Sequence, residues 1–476
     1  MTLRDPRSPS VVVLLADGAR PDTLAAAVDA GELPAIASMR REGSSHTITS
    51  VFPSVTGPAY TPFLHGRHPG PIGLPALRWF DRARETRSWP HGARSYVGIG
   101  GLSIDDDVAP HADTIFTHSG GNVGSLACFN RGLLPSERLG RSAGFLLSLL
   151  GTHLRGDVAR WHQIDRELGD EAAHRIARDC TPFAFCAFTG PDKSSHADGH
   201  DAPSVRAALR TVDDTVAALR ADAERAGRWD RMHLWIVSDH GHSPVHQHED
   251  LAQVVADWGP RVLAHPWVYG RRPDVAVMVS GNAMAHLYVG LADRPRARLG
   301  WPALTAKWQW MAERLLDRPS VDLLLLPIDA QGCEIRTRTR GTARVSAANG
   351  RYSYHPIDGD PLGIGEQHAL DAQDAWDVTS SSDYPDALVQ LAALAATPRA
   401  GDLVISAARE WDLRSRWEPI PHRSTHGALL REHMLVPLVT NHPIARRPLR
   451  TVDVMPSALS ALGLPVPDGL DGQSFY

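Results

Sequence analysis

Three apolar runs in this chain end alike, each closing on an acidic residue in a turn. They read VVVLLADG, AFCAFTGPD and LWIVSDHG, and place Asp17, Asp192 and Asp239 just beyond Val11–Ala16, Phe183–Phe188 and Leu234–Val237. The runs are continuous rather than alternating, which is the pattern of strands buried on both faces of a parallel sheet. Similar runs follow at Ala285–Val289, Val321–Leu326, Leu403–Ile405 and Met434–Val439. Helical stretches at Thr23–Ala30, Ser204–Ala226 and Leu304–Leu316 alternate with them. The expected fold is therefore α/β: three α/β/α layers around a doubly wound, mostly parallel sheet. Sheets of this kind bind ligands just outside the carboxyl ends of their strands, so the three carboxylates are expected to converge there.

Three anions brought together repel strongly, and a bound divalent cation is the usual resolution. Histidine stands beside two of them. His196 lies four residues after Asp192 in PDKSSH, His240 directly follows Asp239, and His426 sits downstream in the turn STHG. The chain carries 24 histidines, more than its Cys, Met and Tyr combined, and histidine is the commonest metal ligand. A mixed carboxylate and imidazole set suits zinc better than magnesium, and six side chains exceed one tetrahedral site. Two metals sharing a substrate is the natural count. In FPSVTGPAY, Thr56 stands in a Pro/Gly turn where a helix would start. Its hydroxyl there is either a helix cap or a nucleophile activated by metal, beside backbone N–H groups suited to a phosphate oxygen. Next to the metal set, the nucleophile is the reading taken.

The rest of the composition excludes more than it assigns. A net charge of −5 with no long basic cluster argues against a nucleic-acid partner. Cys128, Cys180, Cys186 and Cys333 form no C-x-x-C pair and no disulfide framework. The N-terminal apolar run is too short for a signal peptide, and no run approaches the roughly 20 residues of a membrane span. A soluble, cytoplasmic protein is expected.

The segments LLADGARPD, FPSVTGPAYTPFLHGRHPG, GPDKSSHADG, IVSDHG, STHG and DVMPSALSALGLPVPDGLDGQSF together resemble the alkaline phosphatase superfamily. Within it they resemble the nucleotide pyrophosphatase/phosphodiesterase (type I phosphodiesterase) branch. The resemblance implies two zinc ions, with Mn or Mg as substitutes. Asp17, Thr56, Asp239 and His240 would hold one, and Asp192, His196 and His426 the other. It also implies a hydrolase of phosphodiester or phosphate-anhydride bonds that works through a phosphothreonine at Thr56. A phosphonate hydrolase of the phosphonoacetate hydrolase kind, or a phosphomonoesterase, would use the same residues. A small-molecule phosphate ester or phosphonate is the expected partner. A sulfatase is disfavoured, because no C-x-P-S-R or S-x-P-S-R motif is present. The branch usually carries an Asn after the nucleophile helix as a donor to phosphate. Here Leu77 takes that place, which leaves backbone N–H groups or Arg78 to serve.

The core is expected over 8–85, 177–330 and 401–476, with insertions at 86–176 and 331–400 over the mouth of the site. The second insertion holds a hairpin from Cys333 to about Tyr354. The apolar stretch Phe145–Leu150 reads as packing within the first, with contact to a lipid-like leaving group as the alternative. His242 supports the metals or faces substrate, and His422 is the rival of His426. His65 and His68 read as turn residues, and His246 and His248 as part of a solvated loop. His91, His111, His153 and His162 read as surface.

Overall fold

The computed structural model describes residues 8–83, 92–140, 142–266, 272–292, 297–414 and 420–476. The strand Ser10–Ala16 lies at the middle of a seven-stranded sheet, hydrogen-bonded in parallel to Phe183–Phe188 on one side and Met232–Val237 on the other. Val11, Val13 and Leu15 enter one apolar core, while Val12, Leu14 and Ala16 enter another. A strand buried on both faces has no polar side to alternate with, which explains its unbroken apolar sequence. Helices Pro34–Glu42, Val158–Asp179 and Pro203–Arg225 cover one face. Helix Val454–Ala461, the short helix Thr61–His65 and a second sheet cover the other. The fold is α/β, with a large, mostly parallel sheet enclosed between layers.

Two expectations about strands are corrected. The run Met434–Val439 becomes Leu435–Thr440, and it joins the main sheet antiparallel to both of its neighbours. Ala285–Val289, Val321–Leu326 and Leu403–Ile405 belong to a separate nine-stranded sheet, where their pairing is antiparallel. These strands too are covered on both faces, and a buried antiparallel strand leaves the same apolar run as a parallel one.

Described residues of the segment 86–176 also contribute to the core. Val123–Ser125 and Arg138–Leu139 extend the main sheet in parallel, and helix Val158–Asp179 packs Trp161, Ile164 and Leu168 into the core. The expected hairpin is an antiparallel run of four strands, Gly332–Arg336, Gly341–Ala348, Arg351–Gly359 and Gln367–Leu370, continuous with the second sheet. It contributes no residue to the cavity over the strand ends. No helix among the described residues is long and apolar enough to cross a membrane.

Candidate metal centre

Register brings the three strand-end carboxylates together. Ala16 pairs with Phe188 and Leu15 with Val237, so the turns carrying Asp17, Asp192 and Asp239 leave the sheet at one level. Asp192 sits in the first turn of helix Gly190–Asp198, and His196 lies one turn on, its Nε2 3.2 Å from Asp192 Oδ1. The turn into that helix is held by buried Asp165, which accepts hydrogen bonds from the Thr189 and Gly190 amides and the Thr189 hydroxyl. Burial pushes the Asp165 carboxyl up to about 7, against those three donors. Gly18 has a left-handed backbone, φ +70°, and a Cβ there would lie 2.7 Å from His242 Nε2. Only glycine lets the first strand end turn this close behind the second.

Asp17, Asp192, Asp239, His196, His240 and His426 are all buried. His240 Nε2 stands 3.3 Å from Asp17 Oδ1 and 3.5 Å from Asp239 Oδ2, and His426 Nε2 stands 3.7 Å from Asp192 Oδ1. The His240 and His426 rings stack at 3.6 Å. The Thr56 hydroxyl lies 3.3 Å from Asp17 Oδ1 and 3.2 Å from His240 Nε2. Donor atoms of Asp17, Asp239 and His240 lie within 4.8 Å of one another, as do those of Asp192, His196 and His426. Asp192, His240 and His242 form a third such group. His242 is fully buried, with Nε2 3.1 Å from Asp192 Oδ1 and Nδ1 3.1 Å from Ser424 Oγ. It backs Asp192 and lies outside the residues that line the cavity.

The charges in this cluster are unbalanced. Asp17 and Asp239 have oxygens within 4.8 Å, where two unit charges repel by about 3 kcal/mol at an effective dielectric of about 20. Burial and then the neighbouring carboxylates push Asp17 well above the ordinary range, and burial raises Asp239 as well. Burial also acts to raise Asp192, but Lys193, 2.8 Å away, and His196 hold it well below. Burial, followed by the charge on His240, holds His426 well below its usual value, so its ring is neutral.

Three further hydrogen bonds fix which ring nitrogens carry protons. Nδ1 of His196 meets the Ser424 carbonyl at 2.9 Å, Nδ1 of His426 the Ser54 carbonyl at 3.0 Å, and Nδ1 of His240 the Gly241 carbonyl at 3.2 Å. A carbonyl only accepts, so each Nδ1 donates and each Nε2 points toward the carboxylates, where the neutral His426 ring holds a lone pair. Lone pairs facing carboxylate oxygens call for a cation between them. Asp239 Oδ2, buried with no hydrogen-bond partner, makes the same demand. The donor set fits a pair of divalent metals.

The turn at Thr56 differs from the expected helix start. Pro58–Tyr60 is a single 3₁₀ turn leading into the five-residue helix Thr61–His65. The Ala59 and Tyr60 amides are spent on the Val55 and Gly57 carbonyls, and Pro58 has none. That leaves the Thr56 and Gly57 amides, for which the described residues supply no acceptor. Tyr60, unremarked in the sequence, points its hydroxyl 3.4 Å from Asp17 Oδ2.

A cavity of about 340 Å³ opens above Thr56, Asp17, Asp192, His196 and His426. Leu77 and Arg78 line it. Asn282, His422 and Lys193 line it as well. Asn282 sits at the tip between strands Val275–Ser280 and Met284–Val289, bridged to His426. A lone Asn some 200 residues from the motif carries no sequence signal, whereas Lys193 could have been picked out by its place beside Asp192. His422 stacks on His196 at 4.4 Å and bonds Asp412 at 2.8 Å through Nδ1. His153, read as surface, lines the cavity, and His162, also read so, lies 2.6 Å from Ser194 Oγ. His65 ends the helix Thr61–His65 and His68 follows three residues on; both are buried, His65 edge-on to Phe129. His246 and His248 are exposed, as is His111, but lie on the strand Ser243–His248. His91 falls outside the described residues.

Residues 11–429 match the family described as type I phosphodiesterase / nucleotide pyrophosphatase. The chain belongs to this family of hydrolases. No curated protein matches it. Among solved structures, phosphonoacetate hydrolase from Sinorhizobium meliloti 1021 in complex with phosphonoformate is similar at 15% identity, with a TM-score of 0.58 and 96% of each chain covered. Human ectonucleotide pyrophosphatase / phosphodiesterase 5 gives a TM-score of 0.58 at 13% identity, covering 98% of this chain and 97% of its own. An inactive murine form of that protein, in complex with AMP, gives 0.56 at 14% identity with 96% of each chain covered. At these identities the likeness speaks for the fold. Family members depend on metal, and the buried Asp/His groups are where this chain has the donors for it.

Proposed function

We propose that this chain hydrolyses phosphodiester or phosphate-anhydride bonds, with Thr56 as nucleophile beside two zinc ions. The observation that carries the reading is the Thr56 hydroxyl at the cavity floor, within 3.3 Å of both Asp17 Oδ1 and His240 Nε2. Asp17, Thr56, Asp239 and His240 would hold one ion, and Asp192, His196 and His426 the other, with Mn or Mg as substitutes. Bound there, the metals would lower the pKa of the Thr56 hydroxyl and offset charge on the departing oxygen.

The chain's own part is positioning. Asp17 Oδ1 orients the hydroxyl, and the strand ends fix the carboxylates before substrate arrives. Thr56 Oγ1 bonds to phosphorus as the bond to the leaving oxygen breaks, and the hydroxyl proton leaves to solvent. Water then bonds to phosphorus, the Oγ1–P bond breaks, and Thr56 regains a proton. With Leu77 where the family has Asn, the polar groups available to phosphate oxygens are the Thr56 and Gly57 amides, Asn282 and Arg78. Hydrolysis of a phosphonate or a monoester on the same residues is the second reading, supported by the fold likeness to phosphonoacetate hydrolase.

Bis-p-nitrophenyl phosphate turnover by zinc-loaded wild type and Thr56→Ala tests the mechanism. Loss of turnover with zinc content intact is expected. Equal rates at equal zinc content would remove Thr56 from the chemistry. Phosphate release from phosphonoacetate, compared with aryl diesters, separates the two readings.

A further inference from the structure

The cavity has a phosphate end and a hydrocarbon wall. Leu146, Leu149 and Leu150 stand at i, i+3 and i+4 on helix Ala143–Arg155 and turn one face of it to the cavity that Thr56 and Asp17 also line. Leu77, Val97 and Leu102 complete the wall. Leu102 is half exposed, so the apolar lining runs out to the mouth. Leu146 and Leu150 belong to neither apolar core. Phe145 and Leu149 pack against one core, as expected for Phe145–Leu150, but packing does not account for Leu146 and Leu150. Much of the polar lining is grouped around the candidate metal centre, where Lys193 is tied to Asp192 and Asn282 and His422 lie beside the histidines, while His153 is the polar lining residue of the leucine helix.

We propose that this wall is a subsite for an apolar organic group, so that the substrate is a phosphate ester or phosphonate of a hydrophobic alkyl or aryl substituent. The inference rests on the phosphoester reading above and names its substrate class. A nucleobase is disfavoured, because the leucine and valine side chains of the wall offer its ring nitrogens and exocyclic groups no hydrogen bonds. The volume, about 340 Å³, lies within the range of small-molecule sites.

The test separates binding from turnover. Methyl-, butyl- and octylphosphonate are titrated calorimetrically into the zinc-loaded protein. The dissociation constant should tighten about two- to fourfold per added methylene until the wall is covered, with an increasingly negative heat-capacity change. AMP should bind more weakly than octylphosphonate. The double variant Leu146→Asn, Leu150→Asn should flatten the chain-length slope. A wild-type slope of zero, or tighter binding of AMP than of octylphosphonate, overturns the proposal, and the wild-type slope decides it even where the variant fails to fold. In parallel, kcat/KM is measured on methyl and octyl p-nitrophenyl phosphate. Hydrolysis of both at one rate, with a flat binding slope, refutes the subsite and leaves the phosphoesterase reading standing. A steep binding slope with no hydrolysis of either ester refutes that reading and leaves the subsite.

Discussion

Gly18 and Gly31 make a matched pair that isolates how tightly the first two strand ends are locked together. Both have left-handed backbones, φ +70° and +75°. Alanine at either site meets the same backbone penalty, about 1–2 kcal/mol, partly offset by a stiffer unfolded chain. Only the surroundings differ. A Cβ at position 31 meets nothing within 4 Å, whereas one at position 18 lies 2.7 and 2.9 Å from two atoms of His242 and 3.2 Å from the Asp192 Cα. Restoring ordinary contact requires His242 to move by several tenths of an ångström, yet it is fully buried and bonded to Asp192 and Ser424. Overpacking of this kind costs about 1–3 kcal/mol beyond the backbone term. Gly18→Ala should therefore lose about 2–5 kcal/mol in urea unfolding, against about 1–2 kcal/mol for Gly31→Ala. Because the displaced groups include Asp192, kcat/KM on bis-p-nitrophenyl phosphate should fall by up to about 100-fold in the first variant only. Equal stability and equal activity in the two variants would falsify the claim that close packing behind Asp192 fixes the centre.

Other parts of the molecule respond to different perturbations. Asp402→Ala should cost about 3–5 kcal/mol in urea unfolding, because it strands the Arg82 guanidinium, 2.6 Å from that carboxylate with both side chains buried; a midpoint unchanged from wild type contradicts this. Burial pushes His65 down to about 4, from 6.5, so the folded protein prefers the neutral ring. The resulting stabilisation is fully present above pH 6.5 and is lost as pH falls through 4, about 3 kcal/mol in all. Replacing His65 by Gln should flatten stability over that window, and a variant with the wild-type acid slope would show that His65 is not its source. Chelation with EDTA should lower the urea midpoint and zinc should restore it, by about 4 kcal/mol when free metal is about 1,000 times its dissociation constant. A midpoint indifferent to EDTA would mean that the cluster is balanced by protons alone.

What could be read in the sequence follows from how local each signal is. Asp17, Asp192 and Asp239 were visible because each touches its own strand, and the parallel register that unites them is implied by runs apolar on both faces. His196 and His240 were visible through spacings of four and one. The second sheet was hidden for the same reason that the first was legible: full burial erases the alternation that would have marked Met284–Val289 and Val321–Pro327 as antiparallel. Asp165 was missed because it acts on Thr189 and Gly190 from another helix, and nothing near it in the chain announces that contact.

The division between legible and hidden residues also separates chemistry from selectivity. The three carboxylates that would meet metal lie just beyond the ends of core strands, where register leaves them little freedom. The cavity wall comes instead from Gly98–Ser103, from helix Ala143–Arg155 and from the Ser280–Met284 turn, elements that the main sheet does not align. Substitution of Leu146 or Leu150 leaves every strand-end carboxylate in place, so substrate preference can change without rebuilding the centre. The reverse does not hold, since moving Asp192 disturbs Lys193, His196 and His242 together. For that reason the motif bears on the reaction class, and the proposed apolar wall of Leu77, Val97, Leu102, Leu146, Leu149 and Leu150 bears on what the phosphate would carry.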